Sequence, residues 1–167
     1  ITSLTQLLLW VPPLVLIVLI AGLAFFLQRS IKLVVFVVLA LLLVVNLGYW
    51  EASMETLSLV ICATIVCLLV GVPIGIAAAH RPWLEASLRP LLDLMQTMPT
   101  FVYLIPTLIL FGLGVVPGLI STVIFALPSM IRPTELGIRQ VPENVREAAN
   151  AFGAHPWQLL WKVELPL

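Results

Sequence analysis

Few residues in this sequence have both the type and the spacing that catalytic or metal chemistry requires. His80 and His155 are isolated in the sequence from any nucleophile or second metal ligand, so each is expected to make an interfacial hydrogen bond. Cys62 and Cys67 are five apart in one apolar segment and would point to different helix faces, which predicts neither a disulfide nor a metal site. The sequence has no G-x-x-x-x-G-K-[ST] phosphate loop. We therefore predict that the chain is not an enzyme and carries no cofactor.

The C-terminal stretch, which mixes polar and apolar residues, predicts two helices joined by a tight turn. Asn144 and Glu147 have the spacing of a capping box, in which each side chain bonds a backbone N–H at the start of a helix. Gly153 can adopt the left-handed conformation that ends a helix. Pro156 suits the first turn of a second helix, and Pro166 would end it. Because the unit follows a strongly hydrophobic segment, we expect it at the membrane surface.

The spacing within this stretch resembles the EAA loop, EAA-x3-G-x9-I-x-LP, of permease subunits of binding-protein-dependent ABC importers. Six of the seven motif positions match, and valine replaces isoleucine at the other; the residues are Glu147, Ala148, Ala149, Gly153, Val163, Leu165 and Pro166. In that family the loop is cytoplasmic, and its first helix docks into a groove on the ATPase subunit. The resemblance implies that these residues couple the chain to an ATPase. The small alanines would let the helix seat closely, and Glu147 would offer a charge to a basic partner.

Two other interpretations of this stretch are an ordinary interfacial helical hairpin and a DNA-binding helix-turn-helix. Residues 132–167 contain four basic and four acidic side chains. A neutral segment lacks the electrostatic footprint that phosphate binding requires. The sequence therefore predicts no nucleic-acid partner, and the hairpin remains the alternative to the coupling loop.

The composition is that of an integral membrane protein. Of the 167 residues, 62% are hydrophobic and 10% are charged, whereas soluble domains have about 25% charged residues; the mean hydropathy is +1.18. A membrane span takes about 20 apolar residues, and five segments qualify: residues 7–27, 33–50, 57–79 and two within the uncharged run 94–131. Residues 51–55 and 80–90 are predicted loops, and a tight turn is expected at residues 112–118. We predict an all-α polytopic membrane helix bundle of about five spans.

All eight lysines and arginines fall on one side of the membrane if the N-terminus is outside; they are Arg29, Lys32, Arg81, Arg89, Arg132, Arg139, Arg146 and Lys162. Cytoplasmic loops carry an excess of such residues. This pattern predicts an external N-terminus and a cytoplasmic Glu147 loop. Asp93 would lie near the cytoplasmic boundary, where a structural ion pair with Arg89 or Arg132 is expected.

The third predicted span carries small residues at intervals of four: Ala63, Cys67, Gly71, Gly75 and Ala79. Such a ridge lets helices approach closely in lipid, where packing drives helix association. Pro73 is expected to add a kink. We interpret these residues as a helix-packing surface rather than as substrate contacts.

The fourth predicted span contains a polar cluster, Gln96, Thr97 and Thr100, between residues that bend helices. Pro99 and Pro106 would bend or break the helix. Irregular backbone at membrane depth survives only where it lines a cavity or is buried in protein. The pattern fits equally a gate-forming span that lines the substrate pathway and a kinked structural helix. The candidate pathway residues are Gln96, Thr97, Pro99, Thr100, Phe101, Tyr103 and Pro106.

Residues 55–167 as a whole resemble the permease subunit of the glycine betaine/proline betaine importer, whose close relatives move choline. The resemblance is carried by the segments 71–75, 89–93, 95–99, 101–104, 111–114 and 125–128. The first two spans, in residues 1–54, lie outside the resemblance, which implies a permease domain in residues 55–167 and two further spans beyond Leu167. The implied partners are a second permease copy, two ATPase subunits that hold ATP and Mg, an external solute-binding protein and the lipid of a bacterial inner membrane.

Three competing functions remain at this point. An ABC permease for an amino acid is possible, because the loop reports the ATPase partner and not the cargo. A secondary transporter or channel is the second possibility, and secondary transporters place substrate and ion sites on broken helices near the midplane. Ionisable residues deep in the spans and absence of the EAA spacing are then expected, and neither is found. A membrane scaffold without transport activity is opposed by the polar cluster of the fourth span.

Overall fold

The computed structural model describes residues 2–165, and every regular element in that range is helical. The elements are α1 (Thr2–Trp10), α2 (Pro13–Gln28), α3 (Ile31–Asn46), α4 (Trp50–His80), α5 (Pro82–Thr97), α6 (Phe101–Phe111), α7 (Val115–Arg139), α8 (Glu143–Ala151), α9 (Pro156–Leu159) and a π-helical segment, Leu160–Glu164. The prediction of an all-α chain is confirmed. The chain divides into two compact units between Cys62 and Ala63.

The N-terminal unit contains a sharp break where one continuous span was predicted. The axes of α1 and α2 meet at 94°, so residues 7–27 do not form the one continuous helix that was expected. Pro12 is extended, with φ −54° and ψ 138°, and Pro13 is the first residue of α2. A proline disfavours helical backbone in the residue before it, which explains why the helix restarts here. α2 then packs against α3.

Fewer helices can span a membrane unaided than the five predicted. By length and composition α4 and α7 qualify among the described residues, and the bent pairs α1–α2 and α5–α6 raise the number to four if each pair forms one span. α3 has 16 residues, fewer than the about 20 that a span requires. The predicted loops are also wrong, because residues 51–55 lie inside α4 and residues 82–90 inside α5. Glutamate, alanine, leucine and methionine all favour helix, and Pro82 suits the first helical position.

In the C-terminal unit, the small residues of α4 lie against α7. A Cβ atom at Gly71 would lie 2.8 Å from Cβ of Met130, and one at Gly75 would lie 2.7 Å from Cβ of Thr134. The Cys67 Sγ lies 3.7 Å from the Val123 carbonyl oxygen. Ala63 is also buried, whereas Ala79 is only half-buried. Pro73 lies inside the continuous α4.

The α6–α7 connection is a short turn followed immediately by helix. Gly112 and Gly114 have positive φ values, 75° and 158°. The predicted turn at Pro117 and Gly118 is wrong, because both lie in the first turn of α7. Proline is tolerated there, since a backbone N–H in the first turn has no partner within the helix. The two helices are joined by the buried pair Thr107 and Ser121, whose hydroxyl oxygens are 2.8 Å apart. This pair was not anticipated from the sequence.

Ion pairs join α5 to α7. Arg132 donates to Asp93, which confirms the expected pairing of that carboxylate. Glu85 accepts from Arg89 on its own helix at 2.8 Å and from Arg139 on α7. α5 is therefore held to α7 by pairs at two levels of the helix.

Candidate functional site

The EAA-like residues lie on a helix whose start and end are set by local backbone chemistry. α8 begins at Glu143, directly after Pro142, and the expected Asn144 cap is wrong because Asn144 is inside the helix. Pro142 is fixed near φ −59° and supplies the extended residue from which the helix starts.

The left-handed residue that stops the helix is Gly153, as predicted, with φ +77°, two residues after Ala151, the last residue of α8. Gly153 N–H donates to the Asn150 carbonyl at 2.9 Å, and Ala154 N–H donates to the Ala149 carbonyl at 3.0 Å. These two bonds form a Schellman motif, which satisfies the last carbonyls of the helix. α8 is thus a short helix with a fixed turn at its C-terminal end.

Replacing Gly153 by alanine is expected to strain this turn. An added Cβ would meet no atom within 4 Å, so the penalty comes from the left-handed backbone alone, about 1–2 kcal/mol. The measurement is the melting temperature of the full-length subunit, with Gly137→Ala as the control. Gly137 lies in α7 and also has open space around it, so alanine should be neutral or stabilising there. Equal melting temperatures for both variants would contradict the assignment.

The second half of the loop starts at Pro156, as the sequence predicted. The His155 ring Nδ1 accepts from Trp157 N–H at 3.4 Å, and the Gln158 side chain accepts from His155 N–H at 3.1 Å. His155 is therefore a helix cap. The indole rings of Trp157 and Trp161 pack at 5.8 Å between centroids. The predicted helix end at Pro166 lies outside the described residues.

One face of α8 is open to solvent and combines a carboxylate with small side chains. This exposed face consists of Asn144, Glu147, Ala148, Ala151 and, at its end, Phe152. The Phe152 side chain is 92% exposed. The opposite side of the helix, Val145, Arg146 and Ala149, is half-buried. Such a face suits a groove that offers apolar surface and a cation. Sequence reasoning did not select Phe152, although a large apolar residue directly before the turn glycine was visible.

Of the other motif residues, Val163 is half-buried and Leu165 is partly exposed. Between them lies Glu164, whose side chain is only 1% exposed. Its carboxylate is 3.2 Å from the Arg146 guanidinium and 3.1 Å from the His80 ring. Sequence reasoning counted Glu164 only as one acid in a neutral segment, and the motif leaves its position unspecified. His80, expected to make a hydrogen bond, makes one with the Ile76 carbonyl oxygen and also faces this carboxylate.

The candidate pathway residues surround the break between α5 and α6. The helix axes meet there at 88°, and Pro99 lies at the break as predicted, whereas Pro106 is inside α6. Tyr103 donates through its hydroxyl to the Met95 carbonyl at 3.0 Å and so bridges the break. Thr97 donates to the Leu94 carbonyl at 3.0 Å. Gln96, Thr97, Pro99, Thr100, Phe101 and Pro106 are exposed in the isolated chain, and Tyr103 is half-buried.

Comparison with known proteins assigns the chain to a family. Residues 71–167, more than half of the chain, match the family described as binding-protein-dependent transport system inner membrane component. The match includes Gly71 and Gly75 of the contact between α4 and α7, the bent α5–α6 pair and the whole EAA-like loop.

Curated relatives agree with that match over almost the whole chain. The glycine betaine/carnitine transport permease protein GbuB of Listeria monocytogenes is 48% identical over 94% of this chain and 57% of its own length. The glycine betaine transport system permease protein OpuAB of Bacillus subtilis is 46% identical, over 95% and 56%. The glycine betaine/proline betaine transport system permease protein ProW of Escherichia coli is 46% identical, over 97% and 46%. This chain therefore spans about half the length of these relatives and belongs to the family of inner membrane components of binding-protein-dependent transport systems.

Proposed function

We propose that the chain is the membrane-spanning part of an ATP-driven importer for quaternary ammonium compatible solutes such as glycine betaine, proline betaine, carnitine or choline. The exposed face of α8 docks on a separate ATPase subunit, which holds ATP and Mg and performs the hydrolysis. A binding protein delivers the solute on the outer face. The complex contains two copies of the permease and two ATPase subunits, and the transport step is alternating access.

The observation that carries this proposal is the presentation of the EAA residues. Glu147 and Ala148 are exposed, while the other side of α8 is held against the rest of the unit through Arg146 and the turn is fixed at Gly153. A helix held in this way moves together with the rest of the unit when a partner displaces it, because one of its sides is fixed through Arg146. The displacement is therefore transmitted to the spans. The loop lies in the cytoplasm in this proposal, since the positive-inside rule favours that side for the six basic residues from Arg81 to Lys162, which lie on one side of the membrane when the α5–α6 pair and α7 each cross it once.

The cargo is proposed from the names of the relatives, whose printed substrates are glycine betaine, carnitine and proline betaine. All three carry a quaternary ammonium and a carboxylate. Aromatic faces attract quaternary ammonium groups, and Phe101 and Tyr103 lie at the helix break. We assign the polar and aromatic residues of this break, 96–106, to the translocation pathway.

The test uses the full-length subunit in proteoliposomes with its ATPase and binding protein. Uptake of labelled glycine betaine, carnitine, choline and an ordinary amino acid is followed with and without internal ATP. The expected result is ATP-dependent uptake of the quaternary ammonium solutes and none of the amino acid. Uptake that needs no ATP would overturn the importer mechanism, and uptake of the amino acid alone would overturn the cargo.

A further inference from the structure

A buried charge cluster lies where the EAA-like loop meets the spans. Its centre is Glu164, in the π-helical segment, with a side chain only 1% exposed. Two of its neighbours come from different elements: Arg146 from α8 and His80 from the last position of α4. A buried carboxylate is costly unless it is paired, so this arrangement has to be preserved for the unit to stay folded.

Arg146 extends the cluster to a fourth element. Its guanidinium donates to the Ile138 carbonyl oxygen at 2.6 Å, in the last turn of α7. The same terminal nitrogen lies 3.2 Å from Glu164 Oε1. A cation at a helix C-terminus satisfies a free carbonyl and interacts favourably with the helix dipole. Arg146 therefore ties α8 to α7 directly and to the π-helical segment through Glu164.

His80 provides the link to α4. Its ring Nδ1 is 2.9 Å from the Ile76 carbonyl oxygen, one turn earlier in the same helix. A carbonyl only accepts, so Nδ1 carries the hydrogen and donates. The Nε2 atom then faces Glu164 Oε2 at 3.1 Å. The ring thus lies between its own helix and the carboxylate, so a displacement of Glu164 changes the contact that it makes with the end of α4.

The cluster also contains an unused donor and an unused acceptor. Arg146 Nε and Glu164 Oε2 are buried and have no hydrogen-bond partner among residues 2–165. The 3.1 Å contact of Oε2 with His80 therefore lacks hydrogen-bond alignment, and it is an attraction between charges when the ring is protonated on both nitrogens. A small rotation could convert the single contact of Arg146 with Glu164 into a two-point guanidinium–carboxylate pair, which is the stronger geometry. Such a pair would be a second arrangement of the cluster, close to the observed one.

We propose that Glu164 is the positioning residue through which movement of α8 reaches α4 and α7. This inference rests on the proposed function, because it assigns a mechanism to the same loop. When the ATPase displaces α8, Arg146 moves with it and shifts between its one-point and two-point contacts with Glu164. Glu164 never touches the ATPase or the solute. Its charge keeps α8, the π-helical segment and the ends of α4 and α7 moving as one unit.

The test compares Glu164→Gln with wild type in the full-length importer. The amide accepts through one oxygen and presents an N–H donor to Arg146 or His80, so the pairing is broken with little change in volume. We expect about a tenfold drop in solute transported per ATP hydrolysed, while the ATPase still binds with wild-type affinity because the exposed face of α8 is unchanged. Glu55→Gln, an exposed acid in α4 outside the cluster, is the matched control and should leave the ratio unchanged.

A second variant, His80→Gln, keeps the proposal falsifiable if Glu164→Gln does not fold, and the two changes can be combined if it does. His80→Gln alters a side chain that is 46% exposed and should fold, with about a fivefold drop in solute per ATP. Its effect should not add to that of Glu164→Gln, because both act on one contact. A wild-type ratio in His80→Gln, or a lower melting temperature and ATPase affinity with an unchanged ratio in Glu164→Gln, would overturn the inference. The proposed function fails separately, if the wild-type subunit shows no ATP-dependent uptake.

Discussion

Gly75→Ala is expected to destabilise the full-length subunit by about 1–3 kcal/mol, since overpacking a close contact forces neighbouring atoms apart. The new Cβ would lie 2.7 Å from Cβ of Thr134 and 2.8 Å from the carbonyl oxygen of Ile131. Neither atom belongs to the flexible end of a side chain. Relief therefore requires that α4 and α7 separate, and in lipid no hydrophobic force restores the lost packing. A larger residue such as leucine should abolish stable expression.

The measurement is the melting temperature of the purified subunit in detergent, together with its amount in the membrane. Gly22→Ala is the matched control: Gly22 lies inside the apolar helix α2, and an added Cβ there would meet no atom within 4 Å. Alanine at that position should be neutral or stabilising, because glycine weakens a helix. Similar melting temperatures for Gly75→Ala and Gly22→Ala would show that α4 and α7 do not pack in this way.

This seam also shows what the sequence could and could not predict. The spacing of four between Ala63, Cys67, Gly71 and Gly75 indicated a close-packing surface, because residues four apart lie on one helix face. The partner helix was not selected, although α7 carries Gly118, Thr122, Ala126 and Thr134 in one register of four that Met130 interrupts, because spacing within one helix does not say which other helix it meets. The same limit applies to Thr107 and Ser121, whose meeting depends on where the α6–α7 turn ends.

The errors in the predicted elements have a common cause. Charged residues and prolines are typical of loops, but residues 51–55 and 82–90 are helical and Pro117 lies in the first turn of α7. A charged residue can end the part of a helix that crosses the membrane without ending the helix. The bilayer core requires apolar side chains, but it does not determine where the helical backbone stops. Conversely, Gly153 and Pro156 were predicted correctly because each acts on its own backbone angles. Features set by the backbone angles of a single residue were therefore predictable from the sequence, and the lengths of the helices were not.

The site shows the same division. The spacing of Glu147, Ala148 and Ala149 predicted a docking helix, and its exposure in the fold is consistent with that interpretation. Glu164 gave no signal, because its importance comes from being brought beside Arg146 and His80. A neutral total charge over residues 132–167 excluded nucleic acid but concealed this pairing.

Glu147→Lys is expected to weaken binding of the ATPase to the subunit by roughly 30-fold, or about 2 kcal/mol, as for a central interface residue. The carboxylate is exposed on α8 beside small alanines, so it can enter the proposed groove of the ATPase without a rearrangement of α8. Reversing its sign opposes a basic groove, and juxtaposed like charges at an interface cost several kcal/mol. ATP-dependent uptake should be lost while the solute still binds the binding protein. Titration of the ATPase onto the subunit in nanodiscs gives the affinity directly.

Ser87→Lys controls for added positive charge, because Ser87 is exposed on α5 and its hydroxyl bonds only its own helix in the described structure, at the Trp83 carbonyl. Phe152→Ala separates the two parts of the proposed contact, since it removes the most exposed large side chain of the face and leaves every charge in place. If both Glu147→Lys and Phe152→Ala weaken binding and Ser87→Lys does not, the exposed face of α8 is the docking surface. Wild-type affinity for Glu147→Lys would show that the Glu147 charge does not contribute to docking. Wild-type affinity for both variants would show that the ATPase docks on another surface. If the exposed face of α8 is the docking surface, the Glu164 variants should still bind the ATPase, because docking and transmission use opposite sides of this short helix.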